Sequence, residues 1–169
     1  ILTSNKHKTG TDRIYEALEK SNILNVDFIM NLQGDEPSID IDDIKSLNNK
    51  MLKNHSNLGT LASKIKGKKK LKNENIVKVI TENNLGEKNF PRAISFLRNS
   101  EQINNVYHHI GIYCYSKACL EKFVKFDQSK NEIKNRLEQL RALDNNIDIN
   151  VSLAKSSPIG VDTKEDYLA

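Results

Sequence analysis

The stretch that decides the fold of this chain is Val106-Tyr107-His108-His109-Ile110-Gly111-Ile112-Tyr113-Cys114-Tyr115. It is rich in β-branched and aromatic residues, which favour extended backbone, and it predicts a strand. Side chains alternate along a strand, so one face carries an imidazole, a gap and two phenols, from His109, Gly111, Tyr113 and Tyr115. The other face, from Ile110, Ile112 and Cys114, is apolar and predicts a position in the core.

The polar face of this strand has two interpretations of equal weight. It resembles the floor of a polar pocket, with Gly111 leaving space between an imidazole and a phenol. Alternatively, Tyr113 and Tyr115 pack on a helix and keep only their hydroxyl groups at the rim. The residues alone leave both interpretations open.

On either side of this strand the chain alternates between strand and helix patterns. Further strands are predicted over 26–32, 58–65, 76–80 and 147–154, with an extended segment over 89–96. Helices are predicted after Thr11 as N-cap, from about Ile41, over 117–126, over 132–143 and from about Lys164. Such alternation is typical of an α/β sheet domain, and we expect a single domain over 1–169.

Two of the helices have buried stripes that can be predicted from spacing. The helix from Ile41 places Ile44, Leu47 and Leu52 on one side. The helix over 132–143 places Ile133, Leu137 and Leu140 on one side, flanked by Glu138, Gln139 and Arg141. On pattern alone, the flanking residues form a solvated helix face.

Two aspartates follow predicted strands. Asp35 comes just beyond the strand over 26–32, and Asp162 comes after the last strand and a Pro-Ile-Gly turn. Open α/β sheets bind ligands at the carboxyl ends of strands, and carboxylate oxygens suit Mg²⁺. The alternatives are an acidic turn closed by Pro37 and an N-cap of the last helix. The local sequence favours the turn for Asp35 and decides nothing for the pair.

Composition and charge exclude several classes of function. The net charge is +4, and six of the nine residues over 64–72 are Lys. No aromatic residue lies among these lysines to stack on bases, so we interpret the segment as a solvated loop and expect no nucleic-acid partner. The four histidines have no metal-ligand spacing with carboxylates, which argues against a metal hydrolase.

Cysteine usage and hydropathy predict a cytoplasmic location for this protein. Cys114 and Cys119 form no C-x-x-C motif, so reduced thiols are expected. Apolar runs are far shorter than the roughly 20 residues of a membrane span, and the polar, cationic first residues are unlike a signal peptide. We therefore expect no membrane partner.

Six motifs, taken in order, resemble the 3-deoxy-manno-octulosonate (KDO) cytidylyltransferase family, also called CMP-KDO synthetases. They are His7-Lys8-Thr9-Gly10-Thr11-Asp12-Arg13, Asn31-Leu32-Gln33-Gly34-Asp35-Glu36-Pro37, Asn73-Glu74-Asn75-Ile76-Val77-Lys78-Val79, His109-Ile110-Gly111-Ile112-Tyr113, Leu137-Glu138-Gln139-Leu140-Arg141 and Gly160-Val161-Asp162-Thr163-Lys164-Glu165-Asp166. Each motif is short, but all six occur in the family's order, with similar spacing, across the whole chain.

The resemblance implies a fold, a reaction and a set of site residues. The implied fold is a Rossmann-like α/β nucleotidyltransferase fold, and the protein is usually a homodimer. The implied reaction transfers CMP from CTP to KDO for lipopolysaccharide biosynthesis and releases pyrophosphate. The implied catalytic residues are Asp35 and Asp162, which would hold Mg²⁺ as the cofactor. The sugar site would be lined by Gln33, Arg92, His109, Tyr113, Glu138 and Gln139. The residues beside the nucleotide would be Thr9, Gly10, Thr11 and Arg13.

The chain also departs from the family. The family's triphosphate loop, Ala-Arg-x-x-Ser-x-Arg-x-Pro-Gly-Lys, does not occur in these 169 residues. We therefore expect a partial domain that lacks the first strands of the sheet and has negligible turnover by itself. The segment Phe90-Pro91-Arg92 lacks the family's Ser before the Arg. The alternatives are another acidic sugar, such as a sialic acid, or an inactive binding or assembly piece.

Overall fold

The structure, a computed structural model, describes residues 1–34, 37–65 and 67–155. The helices are α1 (Gly10–Ser21), α2 (Ile41–Asn54), α3 (Lys68–Lys72), α4 (Lys117–Phe123), α5 (Lys130–Asn135) and α6 (Leu140–Asp144). The strands are β1 (Phe28–Asn31), β2 (Leu58–Lys64), β3 (Lys78–Thr81), β4 (Ala93–Leu97), β5 (Val106–Ser116) and β6 (Asn150–Leu153). Every strand predicted from the sequence is present, with ends that differ from the predicted ones by at most four residues.

Strand β5 organises a mixed sheet. The order is β4-β3-β5-β2-β6, and β1 pairs with the second half of β5. Only β2 and β6 are parallel among these pairs, and the others are antiparallel. The start of β4 also returns to β6, since Ala93 N donates to Ile149 O at 2.7 Å and Val151 N donates to Pro91 O at 2.8 Å. The chain at the start of β4 therefore also contacts β6, the strand at the other end of the order.

The two faces of β5 bury different cores, as the alternation predicts. Ile110, Ile112 and Cys114 pack against Leu47 and Met51 of α2. The opposite face, with Tyr113 and Tyr115, packs in a second core with residues of α4 and α6, such as Leu120, Phe123, Leu140 and Ala142. Helices therefore cover both faces of the sheet, and the polar row of β5 lies beneath one of these layers.

The predicted stripe of α2 is wrong at one position. Leu47 is fully buried, but Leu52 is 50% exposed and Met51 takes the buried position instead. Met51 and Leu52 both lie near the side of the helix that carries Leu47, so the sequence pattern does not decide which of the two is buried. The choice follows from the sheet, because Met51 packs in the core formed by α2 and β5.

The long helix predicted over 132–143 is broken into α5 and α6. Arg136 ends α5 in the left-handed conformation, with φ 54°. Residues 137–139 form a turn, and Ile133 is 61% exposed while Leu137 and Leu140 are buried. The reason is that Glu132, the residue before Ile133, is itself buried against Arg141, which orients Ile133 towards solvent.

Helix α1 begins two residues earlier than predicted. Its N-cap is Thr9, whose hydroxyl accepts a hydrogen bond from Asp12 N at 3.4 Å. Thr11 lies inside the first turn and is only 2% exposed. Gly10, the first helical residue, leaves Thr9 free to act as the cap, so the predicted cap at Thr11 is wrong.

The lysine-rich segment over 64–72 is described except for Lys66. It ends β2 and forms the short helix α3, so the predicted loop is wrong, whereas its described lysine side chains are exposed, as predicted for a solvated segment. Cys114 and Cys119 are free and buried, and burial raises the pKa of each thiol to about 11. Among the described helices, none has both the length and the apolar character needed to cross a bilayer.

Candidate functional site

The polar row of β5 is assembled and mostly buried. The ring centroids of His109 and Tyr113 are 5.5 Å apart, and those of Tyr113 and Tyr115 are 6.1 Å apart. Tyr115 also meets Phe123 of α4 at 5.9 Å. The tyrosines therefore pack on a helix, as one interpretation expected, and still form a continuous row with the imidazole, as the other expected.

Gly111 makes room for Gln33. A Cβ atom at position 111 would lie 3.2 Å from Gln33 Oε1, closer than such contacts normally are. The missing side chain thus lets Gln33, just after β1, reach across β5. Gln33 is exposed, so its amide lies at the open edge of the row. This contact joins the Gln33 motif to the His109 motif.

Thr60 lies behind His109 and was missed by the sequence reasoning. Its hydroxyl is 3.0 Å from His109 Nε2, 2.7 Å from Ile112 O and 3.3 Å from Ile110 O. The pairing of β2 with β5 slips here: Thr60 pairs with Tyr113, whereas Leu61 pairs with Ile110. The irregularity turns two carbonyls of β5 towards one threonine, and only the three-dimensional pairing reveals it.

Glu138 closes the row from the turn between α5 and α6. Its Oε1 is buried and has no hydrogen-bond partner among the described residues. Burial raises the pKa of Glu138, and the hydroxyls of Thr11 and Thr9 oppose that shift. Thr11 also lies 3.4 Å from the Tyr115 hydroxyl. The start of α1 and the Glu138 turn therefore meet at the end of the tyrosine row.

Arg141 supports this meeting point from within the protein. The residue is 1% exposed. Its guanidinium donates to Glu132 through Nε (2.8 Å) and Nη2 (2.5 Å), and Nη1 lies 3.8 Å from Asp12 Oδ1. It also stacks over the Phe123 ring at 4.8 Å. The prediction that Arg141 lies on a solvated helix face is therefore wrong.

The N-terminal motif is held against α1 by Glu16. Its carboxylate accepts hydrogen bonds from Ser4 N (2.8 Å) and from His7, and pairs with Lys20. Hydrogen bonds from Lys20 and His7 lower the pKa of Glu16 to about 2. These contacts fix the chain just before Thr9.

Three other predicted residues make different contacts. Arg92 is exposed and pairs with Glu82 (3.1 Å) and Asp148 (3.5 Å) instead of the His109 row. Arg13 is exposed and donates to the Thr3 hydroxyl at 3.3 Å. Gln139 is buried, 7% exposed, next to Glu138 in the turn before α6. The role of each in a ligand site stays a prediction.

The predicted metal ligands Asp35 and Asp162 lie outside the described residues, as does the predicted last helix. Within residues 1–34, 37–65 and 67–155, no group of three or more His, Cys, Asp or Glu side chains could hold a metal ion. The chain that follows Asp35 is nevertheless tied to the chain that precedes Asp162. Lys155 N, after β6, donates to both carboxylate oxygens of Asp43 at 3.1 Å, and Asp43 lies in the first turn of α2.

Acidification should destabilise the protein through His109. Burial, with His108 alongside, lowers the pKa of His109 from 6.5 to about 3. Between those two pH values the histidine is protonated in the unfolded chain but not in the folded chain, so lowering the pH favours unfolding. Between pH 7 and pH 5 the free energy of unfolding, measured in urea, should therefore fall by about 2 kcal/mol more for the wild-type chain than for His109→Gln. Equal losses would contradict this expectation.

Comparisons with known proteins identify the relatives of this chain. Residues 1–149 match the family model described as cytidylyltransferase. The 3-deoxy-manno-octulosonate cytidylyltransferase of Brucella ovis is 38% identical over 98% of this chain and 67% of its own length. The enzyme of the same description from Bartonella tribocorum is 39% identical over 98% of this chain and 69% of its own length.

A solved structure extends the similarity to the fold. The CMP:2-keto-3-deoxy-manno-octonic acid synthetase solved with CTP superposes with a TM-score of 0.83 at 29% identity, over 99% of this chain and 70% of that one. The predicted α/β nucleotidyltransferase fold is confirmed. Given the family model and the extent of these matches, the chain belongs to the cytidylyltransferases, within the 3-deoxy-manno-octulosonate cytidylyltransferase (CMP-KDO synthetase) family.

Proposed function

We propose that this chain forms the sugar-binding part and the metal-holding part of an enzyme that transfers CMP from CTP to KDO. In this reaction the anomeric hydroxyl oxygen of KDO bonds to the α-phosphorus of CTP. The bond from that phosphorus to the bridging oxygen breaks, the hydroxyl proton is lost, and pyrophosphate leaves. The reaction would take place in the cytoplasm and would supply CMP-KDO for lipopolysaccharide biosynthesis.

One observation carries the proposal: motifs from separate parts of the chain meet along one face of β5. Gln33 reaches Gly111, His109 and Tyr113 form the floor, and the Glu138 turn meets Thr11. A polyhydroxy acid needs several polar groups that are held rigidly, because alignment of the attacking hydroxyl supplies much of the rate. Groups on a strand and on anchored turns have little freedom to lose.

Within this site the residues would divide the work. Gln33, His109, Tyr113, Glu138 and Gln139 would contact the sugar. A partly desolvated Glu138, with one carboxylate oxygen unpaired, would accept hydrogen bonds from sugar hydroxyls. Thr9, Gly10, Thr11 and Arg13 would lie beside the cytosine. Arg92 would pair with the sugar carboxylate only by leaving Glu82 and Asp148.

We propose that Asp35 and Asp162 hold Mg²⁺. Their donor set fits, since hard carboxylate oxygens are the ligands Mg²⁺ prefers. The Asp43–Lys155 contact also supports it, because it ties the chain shortly after Asp35 to the chain shortly before Asp162. When bound, the ion would neutralise charge on the phosphate oxygens.

We further propose that the 169 residues alone turn over negligibly and that the active form is a homodimer. Phosphoryl-type transfer depends on cradling the triphosphate, and the Arg-rich Pro-Gly-Lys loop that does so in the family is not among these residues. The matched relatives are longer, since this chain spans about two thirds of each.

The proposal is tested with two proteins. One is this chain, and the other is a chimera in which the part of the Brucella ovis relative that precedes the matched region is joined to Ile1. Pyrophosphate release is measured with CTP, Mg²⁺ and either KDO or N-acetylneuraminic acid. We expect release from the chimera with KDO, at least about a hundredfold above that with N-acetylneuraminic acid, because buried polar groups reject a poorly matched ligand.

Each outcome has a clear meaning. Release with N-acetylneuraminic acid but not with KDO would overturn the proposed sugar. A folded chimera that releases no pyrophosphate with either acid would overturn the proposed reaction. Robust turnover by the 169 residues alone would refute the proposed dependence on the triphosphate loop.

A further inference from the structure

The hydroxyl group of Thr60 has one proton and three close neighbours. Ile112 O lies 2.7 Å from it, Ile110 O lies 3.3 Å away, and His109 Nε2 lies 3.0 Å away. A separation of 2.7 Å between two oxygens is that of a hydrogen bond, and two acceptors without a proton between them would repel at that distance. A carbonyl cannot donate, so the Thr60 proton points to Ile112 O, with Ile110 O sharing it at the longer distance.

This assignment determines the protonation of His109. Because Thr60 Oγ1 has already donated its only proton, towards His109 Nε2 this oxygen can only accept, and Nε2 must therefore carry a hydrogen. The imidazole is buried and neutral, since burial lowers its pKa to about 3. A neutral imidazole with hydrogen on Nε2 has a bare lone pair on Nδ1. No described residue hydrogen-bonds to that Nδ1.

The surroundings hold the ring in this orientation. Phe96 meets His109 edge-on, with centroids 5.1 Å apart at 85°, and Tyr113 lies on another side at 5.5 Å. Thr60 is fully buried, and its hydroxyl lies within hydrogen-bonding distance of two carbonyls of β5 at the point where the pairing with β2 shifts. One hydroxyl group therefore contacts both the irregular part of β5 and the His109 ring.

We propose that Thr60 is a positioning residue that keeps His109 in the Nε2–H tautomer, so that Nδ1 accepts a hydrogen bond from a hydroxyl group of the sugar acid. This inference rests on the proposed function for the identity of the ligand. It also predicts specificity: next to His109 Nδ1 the site favours a ligand group that donates a hydrogen bond, such as a hydroxyl, over a group that can only accept a hydrogen bond.

The tautomer is measured directly, without turnover. In the ¹⁵N-histidine-labelled chain, long-range ¹H–¹⁵N NMR distinguishes a protonated from an unprotonated ring nitrogen, and His109→Gln assigns the signals. We expect His109 to show a protonated Nε2 and a bare Nδ1. A protonated Nδ1 in the wild-type chain would overturn the inference.

Two variants of Thr60 separate positioning from packing. Thr60→Val keeps the shape but leaves Nε2–H unpaired, and we expect a partial or full change to the Nδ1–H form. It should also raise the KM for KDO about tenfold in the chimera, the order expected for one lost hydrogen bond, with a smaller change in kcat. Thr60→Ser keeps the hydroxyl and should retain both the tautomer and the KM.

The ligand half of the inference is tested by adding KDO to the labelled chimera. We expect the Nδ1 signal of His109 to shift as the hydroxyl binds. Turnover with no shift at Nδ1 would overturn the inference and leave the proposed function intact, whereas absence of turnover would count against the proposed function. A folded Thr60→Val variant with an unchanged tautomer and KM would also overturn the positioning role.

Discussion

Replacing Arg141 by methionine should lower the free energy of unfolding by about 3–5 kcal/mol, the cost of breaking a buried ion pair from one side. Arg141 is 1% exposed and Glu132 is 3% exposed, and two short hydrogen bonds join them. Although burial raises the pKa of Glu132, the hydrogen bonds from Arg141 and Gln128 bring it below its usual value. Without Arg141, this carboxylate would be buried with no opposite charge beside it, and only the hydrogen bonds from Gln128 and Ser129 N would remain. Urea unfolding of the chain measures the effect.

Two controls distinguish a buried pair from lost packing. The double variant Arg141→Met/Glu132→Leu removes both charges and should recover most of the lost stability, since apolar replacements of a buried pair are often neutral. Arg92→Met breaks an exposed pair with Glu82 and should cost less than about 1 kcal/mol. If the double variant were no more stable than Arg141→Met, the charge-burial explanation would fail.

Replacing either Asp35 or Asp162 by asparagine should lower turnover of the chimera by about a thousandfold or more. Metal ions supply several kcal/mol of charge stabilisation in phosphoryl transfer, and about 4 kcal/mol corresponds to that factor. Asparagine keeps the size of the side chain but removes the negative charge that holds the ion. The measurements are pyrophosphate release against Mg²⁺ concentration and Mn²⁺ binding followed by electron paramagnetic resonance.

The matched control for this prediction is Asp127→Asn. Asp127 is an exposed aspartate in the segment between α4 and α5, and its replacement should leave both turnover and Mn²⁺ binding at wild-type values. The prediction is refuted if Asp35→Asn or Asp162→Asn retains more than a tenth of the turnover with an unchanged Mg²⁺ requirement. Weakened Mn²⁺ binding in both variants would indicate that the two carboxylates share one ion.

Strand β5 shows how far sequence reasoning reaches. Its alternation placed His109 and Tyr113 on one face and Ile110 and Ile112 on the other, and the structure has both faces as predicted. The prediction succeeds because side-chain direction in a strand repeats every two residues whatever the strand packs against. The helix stripes were less secure, since Met51 and Leu52 are both compatible with one helical face.

Arg141 and Thr60 show where such reasoning stops. Arg141 has the type and spacing of a solvated residue, and its burial depends on Glu132, which the break at Arg136 brings to it. Thr60 lies in a strand that is mostly buried, and its role arises from a shifted pairing with β5. Neither contact leaves a periodic signal, because both join elements that are distant or interrupted in the chain.

By itself the sequence determined the strands of the described sheet, the two faces of β5 and the family, since these depend on local spacing and on the order of motifs. Only the tertiary structure decided which polar groups meet. Strand register and the path of the turns bring together three contacts, which are those of Gln33 with Gly111, of Thr60 with His109 and of Arg141 with Glu132. Register and turn paths are set by packing between distant segments, and packing energy is not readable from any one segment.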